Sequence, residues 1–473
     1  MSEAIKRLLN DGPKGVNVGL KGFAETLAQS GAATVQVDWR PPARGNARLA
    51  DILEKLSAPE MAARIDAANQ RVVQKMIDAQ PVLVDVVPAY TKAPVLKGKV
   101  LLHAGPPIAW EEMTGPMQAS CAGAAVFEGW ASTLEEAFAM LKAGAVEFIP
   151  CHHVGAVGPM GGITSGNMPW VVVRNVTDGN EAYCTLNEGI GKVLRMGANG
   201  PEVINRLRWM RDVLMPALSK ALHTLEGGFN LRNVMGRAIT MGDEFHQRNI
   251  AASAIFLRDL SPALAATGAD ASVFKFLGDT DQFFLNLAMA AGKVTADAAR
   301  TIKDGTILTT MTRNGVRFGI RVAACGDQWF TGPVGTPQGM YFSGYSAEDA
   351  NPDIGDSAIT ETCGWGGMAM AASPGVIRFV GAGGFADAVK ITREMGEISI
   401  ANNPHLQIPT MDFIGTPIGV DIRRVVETGI LPIINTGIAH KEPGRGQIGA
   451  GTVKPPIEAF EQALLAVAEQ LGL

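Results

Sequence analysis

Between Pro201 and about Gly305 the chain carries no strand signal, whereas strand signals recur on both sides of that stretch. Inside it, leucine, methionine and alanine return at helical spacing. Outside it, short β-branched runs alternate with amphipathic segments. This break in hydrophobic period excludes one uniform architecture. It predicts a mixed α/β (α+β) fold of several domains: a Rossmann-like N-terminal α/β part, a mostly helical middle and an α/β C-terminal part. A chain of 473 residues also exceeds one ordinary core, so about two to four domains are expected. The predicted boundaries are 1–80 (a βαβ unit plus a helical segment), 81–200 (α/β), 201–305 (helical) and 306–473 (α/β).

Within these limits residues 15–38 read strand, helix, strand, and Arg48–Ala79 reads as helix with one apolar face. Val82–Val87, Val100–His103, Val146–Pro150 and Trp170–Arg174 read as strands, with helices over Glu111–Phe127 and Thr133–Ala143. After Gly305, strands are predicted at Thr306–Thr312, Arg317–Val322, Val376–Val380 and Leu431–Thr436. Helices are predicted near Ser357–Ala372, Phe385–Ile398 and Pro456–Leu471.

Charge and cysteine content exclude several function classes. The net charge is -5 with no domain-sized basic region, which argues against a nucleic-acid footprint. Cys121, Cys151, Cys184, Cys325 and Cys363 are an odd, scattered set without a CxxC, so neither a disulfide framework nor a zinc knuckle is expected. The opening residues MSEAIKRLLN lack a signal-peptide apolar run. The longest uncharged stretch, Phe148–Val173, is interrupted by prolines and glycines and argues against a membrane span. A cytoplasmic chain is the expectation.

Glycine is the compositional outlier, 55 residues in all, about 12% against an average near 7%. Glycine-dense loops let backbone approach a ligand and aim N–H groups at it, and they also occur in any loop-rich fold. Four constellations combine such loops with reactive side chains. The first is Cys151, His152 and His153, followed by Gly161, Gly162, Thr164 and Ser165. A histidine there suits general acid–base work and the glycines suit an anion; the competing reading is a hydrogen-bonded structural pair. The second is Asp243, Glu244, His246, Arg248 and Asn249. On a helix, Asp243, His246 and Gln247 share a face, as do Glu244 and Arg248, so a polar site and a surface ion pair are both open readings. The third is Thr312, Arg313 and Asn314 before Gly315, where Arg313 is placed to clamp a carboxylate or phosphate, or simply marks a hairpin turn. The fourth runs from Asn435 to Gly451, with His440, Lys441, Arg445, Gly449 and Gly451, and reads as an anion-binding loop or a solvated surface loop. It lacks Walker and dinucleotide spacing. Glu361, in Gly355–Thr362, belongs to another polar, glycine-containing segment. No cofactor is expected; a divalent metal at Asp243, His246 and a distant histidine remains an open alternative, on the weak Asp-x-x-His spacing.

Taken together, His103–Pro107, Cys151–Ser165, Asn187–Val193, Gly242–Asn249, Met311–Gly315, Gly355–Thr362 and Ile434–Val453 resemble an uncharacterised-domain family found beside bacterial purine and allantoin catabolism. That family includes a subunit of oxamate carbamoyltransferase. The resemblance covers nearly the whole chain. It implies a catalytic subunit that interconverts oxalurate plus phosphate with oxamate plus carbamoyl phosphate. An acyl-CoA-synthetase-like partner and a third small subunit are implied in an oligomeric complex. Val16–Pro42 also resembles the tail of that larger partner. The phosphate loop of ordinary transcarbamylases is absent, so carbamoyl transfer here needs a separate architecture. On this reading the acid is one of His152, His153, His246 or His440, with Glu244 beside it. The anion clamps come from Arg248, Arg313, Lys441 and Arg445, and the oxyanion N–H groups from Gly161–Gly162 or Gly449–Gly451. A ureide or amide hydrolase and a non-catalytic binding scaffold are the alternatives.

Overall fold

In the computed structural model the described residues are 5, 6, 10–12, 14–37, 39, 41–186, 188, 189 and 191–473. Asp38, Arg40, Asn187 and Ile190, which fall in segments singled out above, lie outside them. The chain begins with a βαβ unit: β1 (Lys14–Val18), α1 (Lys21–Gln29) and β2 (Ala33–Val37), the strands paired in parallel. Two helices follow. Asn46 caps α2 (Ala47–Leu56) by accepting from the amides of Arg48 and Leu49, and Pro59 opens α3 (Pro59–Asp78). The buried face of α3 is Ile65, Ala68, Val72, Val73 and Met76, a helical spacing interrupted by buried Asn69. Asn69 donates to Thr306 (2.8 Å) and Asp421 (3.2 Å), and so ties this helix to residues far along the chain.

The next region is built on β3 (Pro81–Pro88), with β4 (Val100–His103), α4 (Gly115–Phe127), α5 (Leu134–Lys142), β5 (Glu147–Pro150), β6 (Ala156–Val157), β7 (Pro169–Asn175) and β8 (Glu181–Thr185). The helical stretch follows: α6 (Pro201–Trp209), α7 (Met215–Leu222), α8 (Leu231–Ile239), α9 (Ile250–Ala266), α10 (Ala271–Asp279) and α11 (Phe283–Asp297). One two-residue strand, β9 (Phe229–Asn230), interrupts it and joins a five-stranded sheet of order β6-β8-β7-β3-β9. Parallel pairing occurs at β1/β2, β4/β5 and β6/β8, and the β3/β7, β7/β8 and β3/β9 pairs are antiparallel. The helices of 201–305 have no core of their own. Val171 and Cys184 from the sheet, Met117 from α4 and Phe256 and Phe284 from the helices belong to one buried cluster.

The C-terminal region holds β10 (Leu308–Asn314), β11 (Arg317–Val322), β12 (Phe330–Pro333), β13 (Gln338–Tyr341) and β14 (Ile354–Gly355). These are followed by α12 (Ile359–Thr362), α13 (Pro374–Phe379), α14 (Phe385–Ile398), β15 (Ser399–Ile408), β16 (Ile414–Val420), α15 (Ile422–Thr428), β17 (Ile434–Ala439), β18 (Gln447–Val453) and α16 (Ile457–Gln470). Its sheets run β12-β11-β10-β14, β13-β18-β17 and β15-β16. Residues of α2, β10, β11, α15 and α16 share a second buried cluster, so the segment before residue 80 packs onto this region as well as the first.

Four elements depart from the sequence reading, the first being the helix expected near Ser357–Ala372, which is a single turn at Ile359–Thr362 followed after a break by a 3₁₀ segment, Gly366–Ala372, with a non-helical Ala369. Val376–Val380 lies in and just after a helix, α13, because Pro374 sits in its first turn and Val376, Ile377 and Val380 fit helical spacing as well as a strand run. The helix expected from Glu111 starts at Gly115, with Pro116 in its first turn, after a separate 3₁₀ turn at Trp110–Glu112. Gly242–Asn249 is a loop between α8 and α9 rather than helix. All five cysteines are unpaired. Among the described residues no helix is long and apolar enough to cross a membrane.

Candidate active site

The loop between α8 and α9 is folded around a carboxylate. Glu244 accepts from the amides of Gln247 and Arg248 (both 2.6 Å) and of His246 (3.2 Å). Phe245 adopts a left-handed φ of 72° and Gly242 one of 96°. Side-chain acceptors that take backbone N–H groups in this way compete with helix, which is why the expected helical faces do not form. Asp243 takes the Ala252 amide (2.7 Å) in the first turn of α9 and lies 3.4 Å from Arg248. Burial, together with the nearby Glu361 charge, pushes the Glu244 carboxyl up to about 8 against the opposing pull of these amides.

That turn presents His246 to α12. Its Nδ1 donates to both Glu361 oxygens, at 2.8 and 2.9 Å. Glu361 is fully buried and also accepts from Thr360 Oγ1, the Gly367 amide and the Asn435 amide. With carboxylate oxygens as acceptors, Nδ1 is the donor in this pair, and no hydrogen bond to Nε2 occurs among the described residues. A Cβ at residue 366 would lie 2.0 Å from Glu361 Oε1, at a φ of 58°, so only glycine lets the chain pass the pair.

His246 opens onto a narrow pocket lined also by Met160, Arg195, Gln247, Gln282, Ser357, Thr436 and Gln447. That pocket shares Arg195, Gln247, Gln282 and Gln447 with an outer cleft of about 430 Å³, whose walls add Arg248, Ile250, Phe342, Val376 and Phe379. Arg195 comes from the 3₁₀ turn Leu194–Met196. Its Nη2 donates to the Gly189 carbonyl (3.0 Å), while its Nε is buried without a partner. The side chain stays cationic, although burial lowers it to about 10. His246 thus lines the inner pocket, Arg248 and the Asp281 carboxylate line the outer cleft, and Arg195 and three glutamines line both, a set whose guanidinium and amide groups can meet a small anion rich in amide groups.

The other residues marked from the sequence fall elsewhere. Arg313 is fully buried and saturated: Nε pairs with Asp353 (2.6 Å), Nη1 donates to Gly355 O and Ser357 Oγ, and Nη2 to Thr436 Oγ1. It is not free to clamp a ligand. It fixes Ser357 and Thr436, which line the inner pocket. Asn314 makes the β10/β11 hairpin turn, accepting from the Val316 and Arg317 amides.

His152 lies 3.4 Å from Asp356, which also holds the Gly105 and Gly158 amides and the Thr312 hydroxyl. Burial, and secondarily the charge of Lys293, pushes the His152 ring down to about 4, so it is neutral and sealed against the edge of Trp329. His153 is exposed and accepts from Trp329 Nε1 (2.9 Å).

Neither glycine pair offers free N–H groups. Gly161 donates to Arg195 O and Gly162 to Pro159 O, and the neighbouring Thr164 donates to Leu102 O. Gly449 and Gly451 sit in β18 between β13 and β17, where the ladders engage them. Ser165 is buried with its hydroxyl unpartnered. Asn249 donates to the His246 carbonyl (3.1 Å). His440 accepts from the Glu442 amide; Lys441 donates to Glu348 O, and Arg445 faces Glu442 at 3.4 Å on an exposed turn. None of these three lines the cleft. Among the described residues no three of His, Cys, Asp or Glu gather as a metal-holding group.

Residues 146–357, which include both Arg195 and His246, match the family model of "Oxamate carbamoyltransferase subunit AllG". The oxamate carbamoyltransferase subunit AllG of Escherichia coli (strain K12) is 60% identical over 411 residues, 86% of this chain and 98% of that protein. The chain belongs to the AllG family. Within that family's reach, the uncharacterized protein YahG of the same organism is 43% identical over 462 residues, covering 97% of this chain and 98% of its own. A crystal structure of a conserved protein of unknown function from Enterococcus faecalis V583 superposes with a TM-score of 0.84 at 45% identity, over 87% of this chain and 99% of that one. A mixed α/β AllG-family fold is therefore the frame in which the cleft sits.

Proposed function

We propose that this chain is the subunit of an oxamate carbamoyltransferase in which carbamoyl transfer takes place, and that the His246 cleft is its site. The observation that carries the reading is that Arg195 lines both the inner pocket of the His246–Glu361 pair and the adjoining cleft lined by Arg248. The AllG relative, named as a subunit of that enzyme, supplies the reaction.

In the direction of oxalurate cleavage, a hydrogen phosphate oxygen attacks the ureido carbonyl carbon. The carbon–nitrogen bond to the oxamyl nitrogen breaks, giving carbamoyl phosphate and oxamate. The proton lost by the attacking phosphate is the one the leaving nitrogen gains. His246 Nε2 accepts it from phosphate and returns it to nitrogen, a shuttle within the range of one histidine. Glu361 holds the ring's tautomer and offsets the imidazolium charge.

Phosphate and the oxalurate carboxylate repel each other, so their juxtaposition needs cations. Arg195 at the inner pocket and Arg248 at its mouth fill that role, and positioning supplies much of the rate. Gln247, Gln282 and Gln447 bring amide groups to the carbonyl and N–H groups of a ureide, Gln282 and Gln447 being oriented by Nε2 donation to Gln247 O (2.7 Å) and Gly449 O (2.9 Å). No metal or cofactor is required by this scheme.

Phosphate-dependent cleavage of oxalurate, assayed with the purified chain alone and with its partner subunits, tests the reading. Carbamoyl phosphate and oxamate formed in equal amounts are the expected products. Cleavage that proceeds without phosphate would overturn transfer in favour of hydrolysis.

A further inference from the structure

Arg195 also lines a second small cavity of about 10 Å³, whose lining overlaps that of the His246 pocket only at Pro159 and Arg195, room for roughly one water molecule. Arg195, Glu188, Thr185 and Gly162 bring polar atoms to its wall, while Ile163 and Met210 are among its apolar residues. Glu188 is buried, 6% exposed, and its Oε2 has no partner; Arg195 Nε is likewise buried and unpartnered. The two side chains face the same cavity without a direct ion pair. Buried atoms of this kind need a partner, and a water spanning carboxyl and guanidinium satisfies both.

Resting on the cleft reading above, we infer that Glu188 is a positioning residue: the water-linked counter-group of Arg195, which takes up a proton when a dianion binds to the same guanidinium in the cleft. Arg195 then serves two anions, one fixed by the fold and one supplied by the ligand. A second full negative charge near Glu188 disfavours its ionised form, and protonation relieves the conflict.

Burial already raises the empty-site Glu188 carboxyl to about 7, against the pull of Arg195, of Arg206 and of the Leu194 and Arg195 amides. A bound dianion raises it further. Binding is therefore linked to proton uptake, and affinity falls as pH rises above the empty-site value.

Sulfate is the probe, because it stays dianionic across the neutral range whereas phosphate itself titrates there. Calorimetry is run in buffers of different ionisation enthalpy on the full-length chain carrying His246→Gln and Glu244→Gln, so that neither the imidazole nor the Glu244 carboxyl, itself raised to about 8, contributes a proton. The expected result is uptake approaching one proton, with sulfate affinity falling above pH 7 toward tenfold per pH unit, the limit for one linked group. Adding Glu188→Gln abolishes both the uptake and the slope while sulfate still binds. Sulfate binding that depends on Arg195 but takes up no proton, or keeps its slope in Glu188→Gln, overturns the role of Glu188 alone. Sulfate binding indifferent to Arg195→Gln, or no sulfate binding at all, overturns the cleft reading and this inference with it.

Discussion

Among the described residues two imidazole–carboxylate pairs are buried on both sides, and they differ in what surrounds them. His246 meets Glu361 at 2.8 Å and lines the inner pocket that adjoins the cleft. His152 meets Asp356 at 3.4 Å, and the side chains of both are wholly buried. In the first pair the carboxylate fixes a ring that, on the proposed reading, exchanges a proton with a ligand. In the second, Asp356 is occupied by two amides and a hydroxyl, while burial and Lys293 keep the ring neutral. Pairing a histidine with an acid therefore does not define a catalytic dyad; access for the second nitrogen does. The same contrast separates Arg195, which lines the cleft and keeps a buried Nε without a partner, from Arg313, whose donors are all engaged by the protein.

The largest expected effect follows from the tautomer. Glu361→Gln presents an amide to His246 and removes the preference for a proton on Nδ1; turnover falls by about 10²–10⁴-fold, read as kcat in the phosphate-dependent assay. A fall of less than threefold would separate Glu361 from the chemistry.

The two arginines sharpen the comparison next. Arg313→Ala leaves Asp353 as an uncompensated buried charge and costs about 3–5 kcal/mol of stability, measured by denaturant unfolding. Arg195→Ala lowers kcat/KM for phosphate by about 10²–10³-fold with a much smaller change in unfolding free energy. Equal stability losses in the two variants would erase the distinction between scaffold and ligand cation.

The smallest effect is the acid response of His152. Its folded value, about 4, lies below the unfolded one, near 6.5. The unfolded chain then binds more protons between those values, so stability is full above about pH 6.5 and drains away as pH falls toward 4, by about 3 kcal/mol in all. His152→Gln flattens that part of the stability–pH curve; an unchanged curve would mean that the ring is not held neutral.

Much of the framework was legible because its strands are apolar β-branched runs. Val100–His103 matches the observed strand, and Val82–Val87 lies within β3. The β15/β16 hairpin was not, since Asn402, Asn403, His405 and Gln407 break the pattern that betrays a strand. The site was legible in part: the segment holding Asp243–Asn249 and the segment holding Glu361 stood out as polar clusters in apolar surroundings. Their partnership did not, because 115 positions separate His246 from Glu361. Arg195 was missed for a simpler reason. Leu194 and Met196 flank it, so it reads as an isolated cation in a core segment, and only the convergence of loops gives it a cleft. Conversely, Lys441 and Arg445 lie in a glycine-rich segment that looks like an anion loop, yet β17 and β18 spend those glycines on sheet pairing.

The most direct test sets the two histidines against each other. His246→Gln and His152→Gln are compared for carbamoyl phosphate formation from oxalurate and phosphate, in the assembled enzyme at neutral pH, with circular dichroism confirming that both are folded. The account predicts a loss of about 10²–10⁴-fold for His246→Gln and a rate close to wild type for His152→Gln. The reverse order, or equal losses in two folded proteins, would contradict it.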